Sequence, residues 1–357
     1  MAIAATCIGS LLPRPSWRIP NSATRLDEFK FQSMLARKVA KKNCRKGLCR
    51  AMQSSSSSSQ RHVIITGGNT GIGKATATEL ARQGMAVTIA CRNVEKGKQA
   101  VADIIRESSN PSVRVMELDL ASFASIRQFA AGYLHLGLPL NSLVNHLGHF
   151  LLTSLLLGKL KSCASPGMKS RVVVLASAAE RIGNIDFNDL NYKSRSYNNW
   201  LAYGQSKLAN CLFSLELSRR CTSLGIPVTS NSMHPGIVDT ELIRYVFPQA
   251  LDRSLPFSGL RPVVTKLLGL KTPKQGASTS VYLANSSEME GLTGGYYEDS
   301  RKANPSARAT DTELSFKLWA VSEELTNTTD ILEPLQLSAR ASQGVSMISH
   351  RLTNFSS

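Results

Sequence analysis

Three side chains of this sequence have the types and spacing needed for a proton transfer. Tyr203 and Lys207 stand four residues apart, so they share one face if their segment is helical. A phenol is a poor acid near neutral pH, and an adjacent ammonium stabilises its phenolate form. Ser177 follows the apolar run 172–176 and can donate a hydrogen bond to a substrate oxygen while Tyr203 gives or takes the proton. By itself, the Tyr-x-x-x-Lys pair is equally typical of a surface helix.

A second segment has the composition of a phosphate-binding turn. The tract 66–73 reads Thr-Gly-Gly-Asn-Thr-Gly-Ile-Gly, between the apolar run 63–65 and an Ala- and Leu-containing helix at 74–82. Glycine lets the backbone approach a pyrophosphate, and the start of the next helix offers unpaired N–H groups. An ordinary glycine-rich turn is the alternative. We expect the contacts to a dinucleotide to come from Gly67, Asn69, Thr70, Gly71, Ile72 and Gly73.

Two residues at later strand ends extend this dinucleotide site. Arg92 follows the second apolar run, where a site that prefers NAD places an acid for the ribose hydroxyls. A guanidinium pairs with a 2′-phosphate in bidentate geometry, so Arg92 favours NADP(H), and a solvated surface arginine is the alternative. Asp119 follows the third run and can accept from the adenine amino group, unless it caps a helix.

The elements that must position these residues alternate along the chain. Continuous Val- and Ile-rich runs separated by helical stretches are typical of a parallel sheet that is covered on both faces. The pattern therefore predicts an α/β fold with a single doubly wound domain. The predicted strands are 63–66, 87–90, 113–118, 143–145, 172–176 and 228–233, with a last one within 291–297.

Charge and cysteine usage exclude several kinds of partner. The formal net charge is +17, and about half of it lies in residues 1–60. The remainder has no basic stripe with interleaved aromatic residues, so we expect no nucleic-acid partner. The seven cysteines show neither metal-ligand spacing nor a disulfide framework, which indicates a reducing compartment. His146 and His149 stand three residues apart without a supporting carboxylate or Cys, so we expect no metal site.

The two ends of the chain differ in composition from its middle. Residues 1–52 are rich in Ser, Ala and basic residues and poor in acids, which is typical of a transit peptide. A chloroplast is the first expectation, a mitochondrion the second, and a disordered basic arm the alternative. Residues 53–60 form a serine-rich linker, and residues 326–357 lose periodicity as a disordered tail does. The predicted domain spans 61–325.

Together these motifs resemble the short-chain dehydrogenase/reductase family. The glycine tract, Asp119, Ser177, the pair Tyr203 and Lys207, and the His-Pro-Gly at 234–236 follow that family's order. The resemblance implies a Rossmann domain, an NADP(H) cofactor with its nicotinamide ribose at Tyr203 and Lys207, and oxidation or reduction at an alcohol or carbonyl.

The resemblance is strongest to the retinol-dehydrogenase-like group of that family. Its plant members include a component of the chloroplast protein-import translocon. The resemblance also implies that the nicotinamide end of the cofactor is bordered by Pro235, Gly236, Ile237 and Thr240. The segments that carry the resemblance to this group are 69–74, 90–92, 145–153 and 203–210.

One segment departs from the family pattern. Members end the fourth strand with Asn-Asn-Ala-Gly and pass through a loop and several helical turns before an Asn-His-Leu-Gly-His segment. Here Asn145 runs directly into His146, so the segment between two asparagines is deleted. Asn145 corresponds either to the strand-end Asn, which is a cofactor contact in the family, or to the helix Asn of the family's catalytic tetrad. A natural loss, a splice variant and a faulty gene model explain the gap equally well.

The shortened segment should affect catalysis more than folding. A helix over 147–160 is about 21 Å long at 1.5 Å per residue, which is enough to recross a sheet. We therefore expect the sheet to close. A displacement of about 1 Å at reacting groups can cost about a hundredfold in rate, so activity is more exposed to the loss.

The stretch 240–270 predicts the kind of substrate. It is apolar, interrupted by prolines, and placed where a lid would cover the substrate, which favours a lipophilic aldehyde or ketone, or the corresponding alcohol. Core packing and a peripheral membrane contact are alternatives. The leading function is an NADPH-dependent oxidoreductase. The second is an NADP(H)-sensing component of the chloroplast import translocon with little catalysis, and a protochlorophyllide-reductase relative ranks third.

Overall fold

A computed structural model of the chain describes residues 60–145, 149–238 and 270–328. Several predictions fall outside the described residues and stay predictions. They concern the transit peptide 1–52, nearly all of the linker 53–60, Thr240, almost all of the lid 240–270, and the tail from 329 onward.

The described residues form an eight-stranded sheet in the order β3-β2-β1-β4-β5-β6-β7-β8. Strands β1 to β7 pair in parallel, and β8 pairs antiparallel with β7. The strand order reverses between β1 and β4, and in such sheets ligands bind at the carboxyl ends of the strands beside that point. The predicted doubly wound parallel sheet is confirmed. The strands are β1 His62–Thr66, β2 Ala86–Cys91, β3 Val113–Glu117, β4 Ser142–Asn145, β5 Ser170–Leu175, β6 Val228–His234, β7 Tyr296–Glu298 and β8 Arg301–Lys302.

Helices cover both faces of the sheet. They are α1 Gly71–Arg82, α2 Val94–Ser108, α3 Phe123–His135, α4 Phe150–Cys163, α5 Asn199–Ser223, α6 Pro273–Asn285 and α7 Thr312–Thr326. Because successive strand residues point to opposite faces, β1 supplies both layers of the core. Ile64 packs with α3, α4, α5 and α7, whereas Val63 and Ile65 pack with α1, α2 and α6.

The sheet closes across the shortened segment, as the sequence predicts. Strand β4 pairs with β1 on one side and with β5 on the other, where Asn145 is the register partner of Val174. Helix α4 begins at Phe150 rather than at residue 147 and is 14 residues long. The crossover from β4 to β5 therefore still contains a helix that spans the sheet.

A buried histidine makes the stability of this fold depend on pH. His62 is 1% exposed, with its Nε2 atom 2.8 Å from Thr88 Oγ1. Burial, with a smaller contribution from Arg114, lowers the pKa of His62 to about 4. The unfolded chain takes up this proton near pH 6.5, so between pH 6.5 and 4 it binds more protons than the folded chain. The free energy of unfolding should fall by about 3 kcal/mol as the pH drops through that window.

Denaturant unfolding of three proteins at several pH values tests this expectation. His62→Gln should reduce by about 3 kcal/mol the fall in the free energy of unfolding that the parent chain shows between about pH 6.5 and 4. The rest of that fall includes the contribution of His234, whose pKa burial also lowers. His135→Gln is the matched control, because His135 is exposed at the end of α3. Equal pH slopes for the parent chain and His62→Gln would contradict the assignment.

Candidate active site

The turn after β1 has a backbone that requires glycine. Gly67 has a φ of 65°, in the left-handed region that side chains disfavour. A Cβ added at Gly73 would lie 2.4 Å from the Gly67 carbonyl oxygen, and one at Gly68 would lie 2.6 Å from Ile89 Cγ2. The turn therefore packs directly on β2 and on the first turn of α1. Without side chains at its glycines, the backbone of the turn can come close to a ligand at the carboxyl edge of the sheet.

The first turn of α1 offers its N–H groups to a ligand. Thr70 precedes the helix in an extended conformation, and its side chain makes no capping hydrogen bond. By contrast, Asn93, Ser122 and Asn198 cap α2, α3 and α5 through their side chains. Uncapped N–H groups beside a glycine turn fit the pyrophosphate of a dinucleotide.

Arg92 and Asp119 lie after β2 and β3, at the same edge of the sheet. Arg92 is exposed and makes no hydrogen bond or ion pair within the described ranges, so its guanidinium is available. Asp119 Oδ1 accepts the N–H of Ala121 at 3.0 Å. The cap of α3 is Ser122, so the alternative of Asp119 as that cap is not what the structure has.

The side chains of Tyr203 and Lys207 lie together on α5. Lys207 is 2% exposed, and its Nζ atom is 5.4 Å from the centroid of the Tyr203 ring. The same Nζ donates to the Leu175 carbonyl oxygen at 3.2 Å, and Asn210 Nδ2 donates to that oxygen at 2.9 Å. The end of β5 thus fixes the ammonium beside the Tyr203 ring.

Ser177 enters the same site through a turn that packs on α5. It follows β5 and precedes the 3-10 helix Ala178–Ile182, and its Oγ accepts the N–H of Ala179 at 3.2 Å. A Cβ at Gly183 would lie 2.4 Å from the carbonyl oxygen of Gly204, the residue after Tyr203. Turn and helix therefore meet backbone to backbone. Because Ser177 Oγ only accepts in that bond, its hydroxyl proton can be donated to a substrate.

His234, at the end of β6, braces the Ser177 turn. Its Nδ1 accepts the N–H of Ala178 at 3.3 Å, and its Nε2 lies 3.8 Å from Glu298 Oε1. Burial lowers the pKa of His234, and Glu298 opposes that shift. A neutral imidazole is the form that can accept at Nδ1, so the lowered pKa preserves the contact.

The chain after β6 continues along the same edge. Pro235 is buried, Gly236 has a φ of 80°, and Ile237 is 56% exposed. A Cβ at Gly236 would lie 2.6 Å from Lys271 Nζ. Their predicted place at the nicotinamide end is compatible with this edge and stays a prediction, as does that of Thr240, which lies outside the described residues.

The predicted role of Asn145 is not decided by its position. It is the last residue of β4, at the carboxyl edge between β1 and β5. Its assignment as a catalytic or cofactor-binding residue stays a prediction.

Comparisons with known proteins agree with this geometry. A family profile for short chain dehydrogenases matches residues 61–250. Retinol dehydrogenase 13 of Homo sapiens is 42% identical over 286 positions, covering 74% of this chain and 83% of the relative. The chain belongs to the short-chain dehydrogenase/reductase family. Polyprenol dehydrogenase of Mus musculus is also similar, at 40% identity over 289 positions, covering 74% of this chain and 84% of that protein.

A solved structure shows the same short-chain dehydrogenase fold. An uncharacterized protein from Mycobacterium paratuberculosis matches with a TM-score of 0.58 and 33% identity, covering 75% of this chain and 94% of its own. The alignment with retinol dehydrogenase 13 has 286 positions, which is more than the number of this chain's residues that it covers, 74% of 357. It therefore includes positions that this chain lacks, which is compatible with the predicted deletion after β4.

In this short-chain dehydrogenase, three side chains at the site could handle a proton. A nicotinamide cofactor held at the carboxyl edge would supply or accept a hydride. The Tyr203 phenol could give a proton to a substrate oxygen or take it, and the Ser177 hydroxyl could donate to the same oxygen. The Lys207 ammonium lies beside the Tyr203 ring, and the catalytic roles of the three residues stay predictions.

Sequence reasoning gave no role to three side chains that shape this short-chain dehydrogenase site. Asn210 shares the Leu175 carbonyl with Lys207, and His234 braces Ala178. Glu180, fully buried, accepts the Ser306 N–H at 2.9 Å and so ties the Ser177 turn to the chain after β8. The His-Pro-Gly motif was a signal for His234, and the segment 203–210 that carries the family resemblance includes Asn210, whereas no local pattern marks Glu180.

The described residues contain no group of three or more His, Cys, Asp or Glu side chains that could hold a metal ion. His149 instead lies 2.9 Å, Nε2 to Oγ1, from Thr66 at the end of β1. No described helix has the length and apolarity needed to span a bilayer.

Proposed function

We propose that this chain is an NADP(H)-dependent oxidoreductase of a lipophilic aldehyde or ketone, or of the corresponding alcohol. The observation that carries the proposal is the buried Lys207, which is fixed by Leu175 beside the Tyr203 ring and next to the Ser177 turn. Burying an ammonium costs free energy unless polar groups pair with it. The similar proteins are named retinol dehydrogenase and polyprenol dehydrogenase, which supports a lipophilic alcohol or carbonyl as the substrate.

The preference for NADP(H) rests on Arg92. Arg92→Gln should raise the dissociation constant of NADPH about 30-fold, because a charge-assisted hydrogen bond to a phosphate contributes about 2 kcal/mol. The dissociation constant of NADH, which has no 2′-phosphate, should change little. Fluorescence titration of both cofactors measures the two effects.

Arg106→Gln is the matched control for this substitution. Arg106 lies in the last turn of α2, whereas Arg92 stands just before that helix. Residues 94–105 of α2 separate the two positions by about 18 Å, and the side chain of Arg106 pairs with Asp103, so the same charge is removed about three helical turns from Arg92. Equal weakening of NADPH and NADH by Arg92→Gln would contradict the proposed role.

An NADPH titration of the full chain, by nicotinamide fluorescence, tests the proposal. Micromolar binding together with turnover of apolar aldehydes supports it. Binding without turnover across a broad carbonyl panel would favour the role in an import translocon, which is so far supported only by sequence resemblance. Absence of binding would contradict both functions. A version with a family-type loop inserted after Asn145 shows whether the shortened segment is the cause.

We also propose that residues 1–52 are a transit peptide that directs the protein to the plastid. Their composition supports this, because basic residues, Ser and Ala predominate over acids. A fusion of residues 1–60 to a fluorescent protein should accumulate in chloroplasts of a plant cell, and a fusion of residues 61–120 should stay outside them. Accumulation of the first fusion in mitochondria would favour the second expectation.

A further inference from the structure

A cavity lies between α5 and α7, and its lining contains none of the predicted cofactor-binding or catalytic residues, although His149, which borders it, contacts Thr66 of the glycine tract. Its volume is about 110 Å³, and its walls come from α3, α4, α5, α7 and β5. We call it the aromatic chamber. Its main apolar side chains are Phe123, Phe150, Phe213, Leu318, Trp319 and Leu325.

Three rings form one wall of the aromatic chamber. The Phe150 ring meets Trp319 edge to face with centroids 4.9 Å apart, and the Phe213 ring stacks on Trp319 at 6.0 Å. Apolar cavities of this order of size take up molecules such as benzene. The chamber can therefore hold a ring or a short alkyl chain.

Most polar groups in the aromatic chamber are already used within their own helices. Ser206 Oγ donates to the Tyr203 carbonyl at 2.7 Å, and Ser322 Oγ donates to the Leu318 carbonyl at 2.7 Å. These hydroxyls have no donor left for a ligand.

Two polar atoms of the lining are different. Trp319 is 3% exposed, and its Nε1 is buried without a hydrogen-bond partner. Asn210 uses Nδ2 on Leu175, and its Oδ1 has no partner in the described residues. A buried donor without a partner costs free energy, so a ligand that supplies an acceptor is favoured. One atom is a donor and the other an acceptor, and a hydroxyl group can satisfy either.

We propose that the aromatic chamber is a second ligand site, separate from the cofactor and substrate site, that binds a small apolar alcohol or the hydroxyl end of a longer one. The alkyl part contacts the three rings, and the hydroxyl bonds with Trp319 Nε1 or Asn210 Oδ1. The site does not depend on the proposed oxidoreductase activity. A ligand there would contact Asn210, which shares the Leu175 carbonyl with Lys207.

Quenching of Trp319 fluorescence by 6-bromo-1-hexanol tests the proposal, because bromine quenches an indole that it contacts. The full chain carries Trp17→Phe and Trp200→Phe, so that Trp319 is the one reporter among the three tryptophans. NADPH at saturating concentration occupies the cofactor site, and because reduced nicotinamide absorbs the light that tryptophan emits, the emission with NADPH alone is the baseline. Without oxidised cofactor the alcohol is not consumed. We expect saturable loss of more than half of the emission at millimolar ligand or below.

Two filling variants and a second ligand decide the outcome. Ala209→Leu and Ser322→Leu reach the chamber from α5 and α7, and each should raise the dissociation constant at least tenfold. 1-Bromohexane lacks the hydroxyl and should bind at least tenfold more weakly. Linear quenching that is the same in both variants would overturn the site. Equal binding of the two ligands would overturn the hydroxyl contact.

Discussion

Tyr203→Phe should lower kcat at least a hundredfold while the dissociation constant of NADPH changes by less than a factor of three. The substitution removes the phenolic oxygen that passes the proton to the substrate, and general acid–base catalysis contributes about 10²- to 10⁴-fold. The ring stays, so its contact with Lys207 Nζ and the packing of α5 are retained. Steady-state rates with a saturating apolar aldehyde, and the NADPH titration, give both numbers.

Tyr282→Phe is the control for this substitution. Tyr282 lies on α6, and its hydroxyl donates to Glu288 at 2.9 Å. The Tyr282→Phe variant also loses a phenolic oxygen, but on the opposite face of the sheet, so its kcat should stay within a factor of two of the parent value. Comparable losses in both variants would mean that Tyr203 acts on stability rather than on the proton transfer.

Gly73→Ala should raise the dissociation constant of NADPH at least 30-fold. The new Cβ would lie 2.4 Å from the Gly67 carbonyl oxygen, so the turn has to move away from the first turn of α1. The glycine turn and the first turn of α1 both supply N–H groups to the pyrophosphate. Their separation therefore breaks charge-assisted hydrogen bonds, which contribute about 2 kcal/mol or more in total to binding. The NADPH titration measures the effect.

Gly132→Ala separates this effect from a general response to a larger residue. Gly132 lies within α3, where a Cβ would be 3.6 Å from Met116 Cε, an ordinary contact. Alanine is the better helix former, so this variant should gain about 0.5 to 1 kcal/mol of stability and bind NADPH as the parent does. Far-ultraviolet circular dichroism of Gly73→Ala checks that its fold is kept. Unchanged NADPH binding by a folded Gly73→Ala would contradict the placement of the pyrophosphate.

The sequence was sufficient to predict the sheet because its parallel strands are buried on both faces. Val63, Ile64 and Ile65 are fully buried and pack in the two core layers. Their apolar run is therefore not interrupted by polar residues and is easy to recognise in the sequence. The two-residue strand β8 was missed because Arg301 and Lys302 are exposed and carry no apolar pattern. The start of α4 was placed three residues early, since His149 continues the helical spacing but contacts Thr66 instead.

The relative positions of candidate site residues were predictable where they depend on local spacing. Tyr203 and Lys207 share a helix face at four residues, and the glycine turn follows its strand directly. The contacts between distant segments were not predictable, because no local pattern records them. His234 reaches Ala178 across 56 positions, and Glu180 reaches Ser306 across 126. These contacts fix the Ser177 turn, which spacing alone places only at a strand end.

The proposed oxidoreductase activity is tested by the rate of NADPH oxidation by the full chain after addition of an apolar aldehyde such as retinal or decanal. We expect saturable turnover that Tyr203→Phe lowers at least a hundredfold and Tyr282→Phe leaves unchanged. A parent chain that binds NADPH but oxidises it no faster than Tyr203→Phe, with every aldehyde tried, would contradict the role of Tyr203 as the proton donor and acceptor.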